Sequence, residues 1–173
     1  TFTEPLRVTS NHEVDWDDKK GWYIDLVSPS ADANGEGERQ VTNSLVRNGR
    51  LIFTTMIPSV SSDPCVPDGE SWIFEMDAAT GSRLTYSPFD LNRDYSFTAM
   101  DYVTIVIDGE EVKVPSTARK TEGGNAQTPS VVSGQGAEFK YISTSEGLET
   151  IVENPGTGVV GRQSWRELYM GKN

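Results

Sequence analysis

Arg39-Gln40-Val41-Thr42-Asn43-Ser44-Leu45-Val46-Arg47-Asn48-Gly49-Arg50-Leu51-Ile52-Phe53-Thr54-Thr55-Met56 is the stretch that decides the fold. Residues 39–46 and 50–56 read as two strands, and Asn48-Gly49 lies between them. A two-residue hairpin turn needs positive φ at its central residues, which Asn-Gly adopts at little cost. The spacing predicts an antiparallel hairpin.

The same pattern extends outward. Residues 21–27 (Gly-Trp-Tyr-Ile-Asp-Leu-Val) alternate as a strand does, and residues 71–76 (Ser-Trp-Ile-Phe-Glu-Met) read as another. Asp77-Ala78-Ala79-Thr80-Gly81 follows as a turn, with residues 82–86 expected to run back. Residues 102–107 and 111–114 flank an Asp108-Gly109 turn. Residues 138–142 and 148–152 form a last pair joined by residues 143–147. No stretch reads as a stable helix; residues 163–170 are taken as a strand or a single turn. Residues 28–38 and the 23 residues of 115–137 are rich in Gly, Ser and other small or polar residues and read as loops. The expected fold is all-β, organised as a β unit over residues 1–114, a long polar loop or linker over 115–137 and a β pair with tail over 138–173.

Composition narrows the function. The chain has 173 residues, 15 Lys+Arg against 26 Asp+Glu, and a net charge of −11. That balance disfavours nonspecific nucleic-acid binding and attachment to anionic lipid, both of which need a basic face. No apolar run approaches the ~20 residues of a membrane helix. No signal peptide opens the chain, which begins at Thr1 and reads as a mature product or an excised piece. Cys65 is the one cysteine and cannot form an internal disulfide; His12 is the one histidine. Zinc sites of the Cys₂His₂ type and Cys-His-Asn proteases therefore lack ligands or partners. Gly156-Thr157-Gly158-Val159-Val160-Gly161 matches a dinucleotide loop by letter, but Asn154-Pro155 precedes it in place of a buried strand. Asp15-Trp16-Asp17-Asp18 runs into Lys19-Lys20 and reads as a charged loop.

Two motifs remain. The run from Trp72 to Gly81 carries the aromatic…Asp-x-x-Thr-Gly turn found in blades of quinoprotein-type propellers, where it closes a hairpin and binds no cofactor. Asp90-Leu91-Asn92-Arg93-Asp94-Tyr95-Ser96-Phe97-Thr98-Ala99-Met100-Asp101 follows the schedule of a 12-residue calcium loop. Asp90, Asn92, Asp94 and Asp101 hold positions 1, 3, 5 and 12, with the Ser96 carbonyl at 7. Alternate residues of a tight loop point inward, which is how such a loop gathers hard oxygen ligands for Ca²⁺. Tyr95 replaces the usual glycine at position 6, and Asp101 reaches less far than glutamate. A solvated acidic turn is the competing reading. Eight acids against two arginines over residues 63–101 place −6 of the net charge around it.

Gly21-Trp22-Tyr23-Ile24-Asp25-Leu26 followed by Gly37-Glu38-Arg39 resembles a recurrent stretch of the PilC/PilY family of type IV pilus tip-associated biogenesis proteins. So do residues 51–58 (Leu-Ile-Phe-Thr-Thr-Met-Ile-Pro) with Asp63-Pro64-Cys65, the run from Trp72 to Gly81, and the ending Gly161-Arg162-Gln163-Ser164-Trp165-Arg166-Glu167-Leu168. These blocks keep family order across nearly the whole chain.

The resemblance implies the C-terminal portion of a modified β-propeller, with an appended or inserted antiparallel unit and long loops. It implies a non-enzymatic role in pilus assembly and surface attachment, outside the cytoplasm at the pilus tip, cell surface or outer membrane. Minor pilins and the tip complex are the implied partners, with a host-surface ligand as a further one, and calcium is the implied modulator. Residues 90–101 resemble calcium loops that some relatives carry after the Thr-Gly turn, without their glycine. The contacts are expected in the loops 28–38 and 115–137. Two other readings stand beside it: a secreted quinoprotein-like or hydrolytic propeller enzyme, and a structural β domain stabilised by calcium.

Overall fold

The computed structural model describes residues 4–27, 35–59 and 69–156. Ten strands are assigned within them, and the one helical element is a 3₁₀ turn at Ala99–Asp101. The strands are β1 (Leu6–Arg7), β2 (Leu45–Arg47), β3 (Arg50–Ile57), β4 (Glu70–Asp77), β5 (Tyr102–Ile107), β6 (Glu110–Pro115), β7 (Ala118–Lys120), β8 (Ser130–Ser133), β9 (Glu138–Thr144) and β10 (Gly147–Glu153). They make a five-stranded sheet ordered β1-β7-β4-β3-β2, a three-stranded sheet ordered β10-β9-β8, and the β5-β6 hairpin. Every strand pair is antiparallel. The all-β expectation holds.

The turn chemistry acts where the sequence placed it. Asn48 and Gly49 take φ of 50° and 75°, and Arg47 pairs with Arg50 across them. Asp108 and Gly109 take φ of 52° and 87° between β5 and β6. The Asp77 carboxylate accepts the N–H groups of Ala79 and Thr80 and the Thr80 hydroxyl, while the Gly81 N–H donates to the Asp77 carbonyl at 2.9 Å. The last pair is longer than its sequence suggested, and its connection tightens to Ser145-Glu146.

Four expectations change. Residues 21–27 join no ladder, although their exposure alternates as in a strand. Residues 39–46 form strand only from Leu45, with Arg39 bridging Met56 separately. Five residues, 40–44, face three, 53–55, so the chain bulges away there. Residues 82–86 do not return as a strand; the chain leaves the turn and reaches Phe89, which bridges Glu153. Residues 115–137 are not a free loop: they contain β7, buried between β1 and β4, and β8. Thr117 and Ala118 are fully buried. The proposed ending at residues 163–170, most of the loop 28–38, and Cys65 lie outside the described residues.

The centre of the molecule is the β3–β4 pair, buried on both faces. On one face Ile52 and Ile73 pack with Phe89, Leu91, Ala126, Ile142 and Ile151, which brings the three-stranded sheet onto the five-stranded one. On the other, Phe53 and Phe74 stack at 4.8 Å between ring centroids, with Trp72, Met76 and Ala118 beside them. Trp22, Ile24 and Leu26 cover this second face. Burial on both sides explains why β3 and β4 read as near-continuous apolar runs.

Candidate functional site

The acidic loop is shaped by Asx turns. Asp90 accepts the N–H groups of Asp94 at 3.1 Å and Tyr95 at 2.8 Å. Asn92 Oδ1 accepts from the Asp94 N–H, and Asp94 Oδ1 from the Ser96 N–H. Arg93 and Tyr95 take φ of 61° and 62° to let the chain turn. Tyr95 thus adopts the conformation for which glycine is the natural choice. Asp90, Asn92, Asp94 and Ser96 follow one another around this turn.

Asp101 does something else. It is fully buried; its Oδ1 accepts the N–H groups of Leu91 at 2.9 Å and Asn92 at 3.4 Å, and its Oδ2 accepts that of Thr98 at 2.9 Å. With Thr98 it forms a capping box on the 3₁₀ turn. The Asp101 carboxylate, at position 12 of the expected loop, is thus engaged by backbone N–H groups. Among the described residues no three of His, Cys, Asp or Glu stand together as a metal-holding group.

Arg93 ties this loop to the sheet, pairing with Glu4 at 2.5 Å and Glu122 at 2.8 Å. Both carboxylates hold its pKa above the ordinary arginine value. Behind them Arg119 pairs with Glu149 at 3.5 Å. Burial pushes the Glu149 carboxyl up, against the pull of the Glu122 N–H and of Arg119.

The contact between the two larger sheets holds charges that the sequence reading did not single out. Arg50 donates to Glu75 at 2.9 Å, to Glu138 at 2.5 Å and to the Asn154 carbonyl at 2.8 Å. Lys140 pairs with Glu75 and Glu153. All five side chains are buried. Two cations face three carboxylates, and Arg47, bonded to Glu138 at 2.7 Å from the rim, supplies the third positive charge. Burial pushes the Lys140 ammonium down in pKa, with Glu75 opposing it. Burial also works against the Arg50 charge, but the carboxylates outweigh it and hold its pKa up. A signal for these residues does exist in the sequence. Arg50, Glu75, Lys140 and Glu153 each lie two positions from a buried isoleucine, Ile52, Ile73, Ile142 and Ile151 respectively, and so share its face.

Two blocks of the family resemblance touch each other. Trp22 Nε1 donates to the Ala78 carbonyl at 3.3 Å, and its ring lies where a side chain on Gly81 would stand. Gly81 also has φ of 67°. Loop 28–38 ends in an anchor: Glu38 pairs with Arg7 at 2.6 Å and accepts the Thr55 hydroxyl at 2.5 Å. The Arg7 guanidinium stacks 3.8 Å over Trp72.

No family model matches the chain. It is 27% identical over 186 aligned positions to the type IV pilus biogenesis factor PilY1 of Pseudomonas aeruginosa, which covers 97% of this chain and 14% of that protein. Two PilY1 homologues of Xylella fastidiosa match at 26% and 29% identity, over 87% and 86% of this chain and 8% and 11% of theirs. The chain therefore spans a small part of the curated relatives it matches. The crystal structure of the Pseudomonas aeruginosa PilY1 C-terminal domain superposes with a TM-score of 0.62 at 20% identity, covering 87% of this chain and 28% of that one. In sequence this chain is similar to PilY1 type IV pilus biogenesis factors, and in fold to the C-terminal domain of one of them.

Proposed function

We propose that this chain is a non-enzymatic module of type IV pilus biogenesis, acting outside the cytoplasm at the pilus tip or outer membrane. The observation that carries this reading is the PilY1 similarity across 97% of the chain, supported by the fold match. The module works by binding: a β scaffold with a buried ionic centre presents its loops to minor pilins and the tip complex, and to surfaces during attachment. Immobilised native protein is expected to retain minor pilins from a periplasmic extract. Loss of that retention together with unchanged twitching motility in cells lacking the gene contradicts the role.

Calcium modulation belongs to the same proposal. The Asx turns that line up Asp90, Asn92, Asp94 and Ser96 support it; the engagement of Asp101 with backbone N–H groups stands against it. A ligand that binds only the folded state stabilises it by about 2.7 kcal/mol at a hundredfold excess over Kd. Melting with millimolar Ca²⁺ and with chelator measures this, and Asp90→Ala should abolish the difference. Equal melting temperatures contradict the calcium site and leave the pilus role standing.

A further inference from the structure

The contact between the two larger sheets holds a lysine against two carboxylates. Lys140 of β9 stands opposite Ile151 of β10, and Glu153 lies two residues along β10 on the same face. Diagonal cross-strand neighbours of this kind are within reach of long side chains. The Lys140 side-chain nitrogen touches Glu153 Oε2 and, from β4, Glu75 Oε1. None of the three side chains is exposed. Arg50 Nη1 donates to Glu75 Oε2 at 2.9 Å, which leaves the other oxygen of that carboxylate to Lys140.

Mutual attraction offsets the desolvation of a buried ion pair only when further hydrogen bonds hold both ions. Glu153 fails that condition: its Oε1 is buried with no hydrogen-bond partner among the described residues. The same burial pushes Lys140 toward the neutral amine, with Glu75 opposing. One proton passed from Lys140 to Glu153 along their contact turns the pair into an amine and a carboxylic acid. The charges left are Arg47 and Arg50 against Glu75 and Glu138, which balance. In water, condensation of an amine with a carboxylic acid is held back mainly because both ionise. A dry site that neutralises them removes that obstacle. Two groups held in contact also react with the effective molarity of an intramolecular pair, up to about 10⁵–10⁸ M.

We propose that Lys140 and Glu153 condense to an isopeptide bond after the chain folds, with Glu75 carrying the proton. The Lys140 Nζ lone pair attacks Glu153 Cδ. Glu75 Oε1 takes one proton from the attacking nitrogen and delivers it to the departing hydroxyl. The N–C bond forms, the C–O bond breaks, and one water leaves; no oxidant or cofactor is consumed. The ion pair of the freshly folded chain is the precursor. The product ties β9 to β10 beside the core contact and leaves no charge on either residue. This inference does not rest on the role in pilus biogenesis.

The test is tandem mass spectrometry of the native protein, denatured and then cleaved after its glutamates. Residues 139–146 should appear joined to the peptide that begins at Thr150, with their combined mass short by one water. Fragment ions should place the branch at Lys140 and Glu153. Lys140→Arg keeps a cation but lacks the amine, and should give the two peptides separately. Glu75→Gln keeps both reacting residues and should lower the joined fraction, at equal time after synthesis, by at least about tenfold. Glu138→Gln removes a carboxylate of the same cluster that makes no ion pair with Lys140, and should leave the joined fraction unchanged. Separate, full-mass peptides from the native protein overturn the proposal. So do a branch between any other residues and a joined fraction undiminished in Glu75→Gln.

Discussion

Asp101 closes the acidic loop through three backbone N–H groups, and it does so from a fully buried position. Asp101→Ala strands those donors and is expected to cost about 3 kcal/mol in urea unfolding, with or without calcium. A loss below the error of that measurement would show that the loop closes without it. Gly81 meets two demands, positive φ and the Trp22 ring. Gly81→Ala should destabilise by more than the ~1 kcal/mol of a conformational penalty alone, and should shift Trp22 fluorescence as the ring is displaced. Glu149 carries a pH signature. Burial raises its carboxyl above the ordinary 4.5, so the folded state holds the proton more tightly than the unfolded one. The stability contributed is full below pH 4.5 and is lost as pH rises through the raised folded value. The stability of the native protein relative to Glu149→Gln should therefore fall as pH rises above 4.5. A difference that stays flat with pH contradicts this.

At the scale of elements, residues 115–137 show what a sequence pattern hides. Removing them deletes β7 from between β1 and β4 of the five-stranded sheet and β8 from the edge of the second sheet. The deletion should abolish the dispersed NMR spectrum of a folded β protein, where a tolerated surface loop would leave it intact. β7 escaped sequence reading because Ala118-Arg119-Lys120 is three residues long with no β-branched residue; its burial comes from its neighbours β1 and β4. The hairpins were legible because Asn48-Gly49 and Asp108-Gly109 encode their own turns locally. Residues 21–27 were legible as an alternating pattern but not as an unpaired segment, since pairing depends on a partner strand that no local pattern specifies. The spacing of Asp90, Asn92, Asp94, Ser96 and Asp101 was legible, and the first four follow one Asx-turned arc. The engagement of Asp101 with the backbone arises from its place at the end of the 3₁₀ turn, where it caps back onto Thr98 just before β5.

For the molecule as a whole, an ionic cluster lies buried where the two larger sheets meet. A buried ion pair is weak evidence for stability, but breaking one strands a buried charge. Lys140→Met leaves Glu153 with no cation and Glu75 with Arg50 alone, and should cost about 3–5 kcal/mol. Replacing Lys140 and Glu153 together by apolar residues should recover much of that loss, which guanidinium unfolding of the two variants measures. Equal losses in both would mean that packing, not charge, dominates there. The contact is mixed, aliphatic around Ile52 and Ile142 and ionic around Arg50 and Lys140. The role proposed for this scaffold is in type IV pilus biogenesis. Counting surface pili by electron microscopy in cells lacking the gene tests it most directly. Pili should be lost on deletion and restored by the native protein but not by Lys140→Met; an unchanged pilus count on deletion would sink the role.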